Sequence, residues 1–157
     1  MMKRVLPVAF AFLFVVSTLA GAEVREGHLV NVDDNGVILN GHDPVAYFTE
    51  DEPVEGDPAH QTTYQGATYH FASAENQAAF EADPEKYAPA YGGYCAYGVS
   101  KGTLASIDPE AFQIVDGRLM LQYSQGILKR WNRDPEGRLE KAEKNWPEIL
   151  EDNGAEN

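Results

Sequence analysis

Five Asp-Pro dipeptides cut this chain into short pieces: Asp43-Pro44, Asp57-Pro58, Asp83-Pro84, Asp108-Pro109 and Asp134-Pro135. Asp is a good helix cap, and Pro has its φ pre-set for the first helical position, so the pair tends to open a helix. Four of the five precede residues that read as short helices: 42–47, 83–87, 108–112, and a longest one from Asp134 towards Trp146 that Pro147 ends. The fifth, Asp57-Pro58, falls in an acidic polar stretch, 49–60, and reads as loop.

Between these marks lie strand signals. Residues 61–64 and 67–71 flank Gln65-Gly66 and predict a hairpin rich in strand-favouring aromatics, Tyr64, Tyr69 and Phe71. Ser73 then caps a helix that turns Ala79 and Phe80 inward. A second hairpin runs 112–115, Asp116-Gly117, 118–123, with Leu119, Leu121 and Tyr123 alternating with Met120 and Gln122 to give one apolar face. Residues 125–150 are helical, with Leu128 and Trp131 on one face, and Leu139, Ala142 and Trp146 on another after the Asp134-Pro135 break. No internal repeat is evident. These elements predict an α+β fold of short antiparallel β-hairpins packed with short helices and a C-terminal helix.

The N-terminus has the three parts of an export signal. Lys3 and Arg4 form a basic start, residues 5–19 are apolar apart from Ser17 and Thr18, and Ala20-Gly21-Ala22 supplies small residues before a cleavage point. The apolar run falls short of the roughly 20 residues that a bilayer-spanning helix needs. Residues 1–22 therefore read as a cleaved signal peptide, residues 23–150 as a single domain, and 151–157 as an acidic frayed tail. The expected location is outside the cytoplasm, periplasmic or secreted, with no membrane attachment after cleavage.

Charge narrows the partners. The chain has 12 basic and 25 acidic residues, and losing Lys3 and Arg4 leaves 10 against 25, a formal charge of −15 with His neutral. Such a field repels nucleic acid and anionic membranes and tolerates cations. A single cysteine, Cys95, stands in a chain expected to meet oxidising conditions. It reads as a free thiol, a metal ligand, half of an intermolecular bridge, or a buried small hydrophobe.

The run Tyr64-Gln65-Gly66-Ala67-Thr68-Tyr69-His70-Phe71-Ala72-Ser73, then Phe80 and Asp83-Pro84-Glu85-Lys86-Tyr87, resembles the core of the YHS domain family. Upstream, Gly41-His42-Asp43-Pro44-Val45-Ala46-Tyr47-Phe48 looks like the start of the domain in its exported members. Downstream, Gly92-Gly93-Tyr94-Cys95-Ala96-Tyr97-Gly98-Val99 also looks like those members. The resemblance covers residues 37–101. It implies a metal-binding domain, with copper the metal suggested, since many members carry two cysteines around the strand-to-helix turn. This chain departs from them. Ala72 and Asn76 stand at those turn positions, and the stretch Gly41-His42-Asp43 occupies the upstream cysteine position.

What is left for a soft metal is Cys95 with His42, Asp43 and His70, a thiolate and imidazole set suited to copper or zinc. His70 alternates with Tyr69 and Phe71 and so faces away from them. His28 and His60 read as plain surface. Tyr91, Tyr94 and Tyr97 surround Cys95 and either wall a shallow pocket or pack as core.

Three functions stay open: a non-enzymatic exported module binding a metal ion, a thiol-dependent redox protein or enzyme using Cys95, and a structural or protein-interaction domain without metal. No catalytic constellation is recognisable, and no Cys-x-x-Cys is present. The export reading predicts that N-terminal sequencing of protein recovered outside the cytoplasm begins at Glu23. A start at Met1 in a membrane fraction overturns it.

Overall fold

The computed structural model describes residues 23–156. The signal-peptide expectation for residues 1–22 lies outside them, as does Asn157. Among the described residues the chain forms six α-helices and three two-stranded antiparallel sheets, an α+β fold as expected. A short ribbon, β1 (Glu23–Arg25) and β2 (His28–Val30), comes first, followed by α1 (Ala46–Thr49). The next hairpin is β3 (Asp57–Tyr64) with β4 (Ala67–Phe71), leading into α2 (Ala74–Ala82) and α3 (Pro84–Tyr87). After α4 (Ala96–Ser100) come the hairpin β5 (Asp108–Val115) and β6 (Arg118–Gln122), α5 (Gln125–Trp131) and α6 (Pro135–Asp152). No described helix is long and apolar enough to cross a membrane.

The chain builds the same unit twice, which corrects the reading that it has no repeat. Both hairpins pair a strand of 8 residues with one of 5. Each opens with Asp-Pro and carries an irregularity directly after it, between Asp57 and Gln61 in one and between Asp108 and Phe112 in the other. Both turn on a residue pair with positive φ, Gln65-Gly66 and Asp116-Gly117. In both, a serine then caps the following helix: Asn76 N–H donates to Ser73 Oγ (3.2 Å), and Ile127 N–H to Ser124 Oγ (3.3 Å). Phe80 and Trp131 are the fully buried anchors of those helices. Asp83-Pro84 and Asp134-Pro135 start the next ones. Asp57 and Asp108, Gly66 and Gly117, Ser73 and Ser124, and Asp83 and Asp134 all stand 51 residues apart. Upstream of each hairpin three consecutive residues have positive φ, Leu39-Asn40-Gly41 and Tyr91-Gly92-Gly93.

The repeat explains where the Asp-Pro rule fails. Asp43, Asp83 and Asp134 precede helices. Asp108-Pro109 opens β5 instead of a helix, and Asp57-Pro58 lies in β3 instead of a loop. In both strands the Asp side chain accepts from the N–H two residues on, Ala59 (2.9 Å) and Glu110 (3.0 Å), a local turn that competes with a helix start. The proline sits in the irregular stretch, where no ladder N–H is required.

Two hydrophobic clusters result. One gathers Leu39, Tyr47, Tyr69, Phe71 and Phe80 from the first repeat; the other gathers Tyr91, Tyr94, Val99, Trp131, Ile149 and Leu150 from the second. Strand β6 stands between them. Leu119 and Leu121 enter the first and Met120 the second, so both its faces are buried, and Tyr123 is exposed instead of sharing the apolar face. Helix α6 runs through Pro147, expected as its stop, because Ile149 and Leu150 beyond it are buried. Proline removes one helical hydrogen bond, and the exposed turn around Glu143 and Pro147 faces water. The tail is also less frayed than expected: Glu156 N–H donates to Gly27 O (2.6 Å) and ties it to the β1–β2 ribbon.

Gly92 is the tightest point of this packing. Its φ is +58, and a Cβ there would run into the Leu29 carbonyl oxygen. Gly102, φ +76, has open space around it. Urea unfolding is expected to show Gly102→Ala losing about 1 kcal/mol for the left-handed backbone. Gly92→Ala should lose a further roughly 1–3 kcal/mol for the forced shift.

Candidate functional site

The strand-to-helix turn after β4 is fastened to the start of α1 by one carboxylate. Asp43 is fully buried. Its Oδ1 accepts from the N–H groups of Val45 (2.8 Å) and Ala46 (3.4 Å), and its Oδ2 from Ala72 N–H (2.9 Å) and Asn76 Nδ2 (2.7 Å). Ala72 and Asn76 are the two turn positions that the sequence resemblance sets against cysteines. Here one offers a backbone donor and the other a side-chain donor, and both are spent on Asp43.

Cys95 occupies the equivalent place in the second repeat. It follows the second run of positive φ as Asp43 follows the first. Asp43 N–H donates to Val54 O (2.8 Å), and Cys95 N–H to Ala105 O (3.0 Å). Ala72 N–H donates to the carboxylate, and its counterpart Tyr123 N–H donates to Cys95 Sγ (3.3 Å). The thiol in turn donates to Gln122 Oε1 (3.4 Å), which also accepts from Tyr97 N–H (3.0 Å). Burial pushes the Cys95 thiol above its ordinary pKa, and the nearby N–H groups of Gly98, Tyr123 and Tyr97 only partly oppose this. The thiol is 2 % exposed and belongs to the first hydrophobic cluster.

The four residues of the expected metal set do not meet as a closed thiolate site. Asp43 is saturated with donors, and Cys95 is buried, protonated and hydrogen-bonded. His42 and His70 are half-buried; His42 Nδ1 lies 3.1 Å from Leu39 O, and the His70 ring lies against Gly41. Among the described residues no three of His, Cys, Asp and Glu are grouped so as to hold a metal ion. Tyr91 and Tyr94 are buried, so the tyrosines around Cys95 are largely core. The Tyr94 hydroxyl donates to Val30 O (3.0 Å) and accepts from Glu23 N–H (3.1 Å).

Two features escaped the sequence. Gln122 is fully buried, its Oε1 shared as above and its Nε2 without a partner among the described residues. A lone polar residue ending an apolar strand was its one sequence signal. The second is a cleft of about 420 Å³ where the two repeats meet, lined by Tyr64, Tyr69 and Glu85 of the first and by Tyr91, Arg118, Glu143 and Trp146 of the second. Both Tyr91 Oη and Arg118 Nη1 donate to Glu143 Oε1 (2.6 Å each). Burial alone would raise the Glu143 carboxyl, but these hydrogen bonds and the guanidinium charge hold it below its ordinary pKa.

The fold and the site define a small α+β domain built on capped strand-to-helix turns. The YHS domain family model matches residues 45–91, a stretch that takes in most of the first repeat. The family is associated with metal binding. Comparison with curated proteins and with solved structures yields no match.

Asp43→Ala strands four donors without their acceptor, so a loss of about 3 kcal/mol or more is expected in urea unfolding. Cys95 sets an alkaline limit. Its folded pKa lies above its unfolded value of about 8.5, so its contribution is complete below that pH and is lost as pH rises through the folded value. Stability of the wild type should fall between about pH 8.5 and 10, before tyrosine ionisation enters, and Cys95→Ala should abolish that part of the fall.

Proposed function

We propose that this protein is a non-enzymatic YHS-type binding module that works outside the cytoplasm, with a hydrogen-bonded structural centre where other members carry a cysteine-based metal site. One observation carries the reading: the only thiol takes the place that a saturated, buried carboxylate takes in the first repeat. A nucleophilic cysteine needs exposure and a positive field or base to form thiolate. Cys95 has neither, since Gln122 and backbone N–H groups are its polar neighbours. Export rests on the character of residues 1–22, and the acidic surface weighs against nucleic acid and anionic membrane as partners.

The family's association with metal binding favours a second reading, copper or zinc held through Cys95 with His42, Asp43 and His70. That reading requires the core around Cys95 to open and Asp43 to give up its donors. The two readings part in a titration with copper(I), copper(II) and zinc at about 0.15 M salt, where diffuse attraction is screened beyond roughly 8 Å. Wild type and Cys95→Ser are expected to bind equally and weakly, with the variant less stable. Tight binding by the wild type that Cys95→Ser abolishes overturns the structural reading and establishes the copper one.

A further inference from the structure

We draw no further inference here: the strongest candidate, the set of buried side-chain donors in the second repeat that lack a partner among the described residues, Gln122 Nε2, Trp131 Nε1 and Arg138 Nη1, carries nothing, because none of the three residues lines the cleft between the repeats and nothing in the structure shows what would pair with them.

Discussion

The structure depends on a buried acceptor meeting backbone donors at the point where a strand becomes a helix. Asp43 takes two N–H groups from the start of its own helix and two donors from the turn after β4, residues about thirty positions away. A carboxylate without such partners is prohibitively costly to bury, whereas one with four donors fixes the geometry of everything attached to them. The hairpin, the Ser73-capped helix and α1 are thereby held as one piece, with the aromatic cluster of Tyr69, Phe71 and Phe80 packed beneath it.

The second repeat reaches the same geometry with a weaker acceptor. A thiol accepts less strongly than a carboxylate, and Cys95 draws in Gln122 as a second acceptor, so that Tyr97 N–H, which corresponds to Val45 N–H, ends on the amide oxygen. This exchange leaves the second repeat with a neutral centre that needs no counter-charge and fits inside an apolar cluster. It also accounts for an unpaired cysteine in a chain of this kind: the residue packs and hydrogen-bonds in place. The two turn centres are thus both filled by the protein's own donors and acceptors.

Local chemistry was readable from the sequence wherever a residue type forces a backbone state. Asp116-Gly117 and Gln65-Gly66 set the two hairpins, Ser73 caps α2, and Asp83-Pro84 and Asp134-Pro135 open helices. The repeat escaped because the halves share residues mainly at those punctuating positions. Tyr69 faces Met120 in the alignment, Phe71 faces Gln122, and Phe80 faces Trp131, so the cores were rebuilt while the turns were kept. Asp108-Pro109 was misread for a related reason. The same dipeptide can cap a helix or make a local turn within a strand, and the pairing partner Gln122 decides between them.

Residue types in order were therefore enough to determine the α+β class, the acidic character, the hairpins, the caps and the likeness to the YHS domain over residues 45–91, because each rests on local sterics, on composition or on a contiguous motif. Whether Cys95 is a ligand, a nucleophile or a packed thiol was a different kind of question. Its answer turns on the burial of the sulfur and on two neighbours 27 and 28 positions away, Gln122 and Tyr123. The cleft between the two repeats likewise exists only once they are set against each other. Burial and hydrogen-bond satisfaction are properties of the packed chain, and tertiary structure alone decided them.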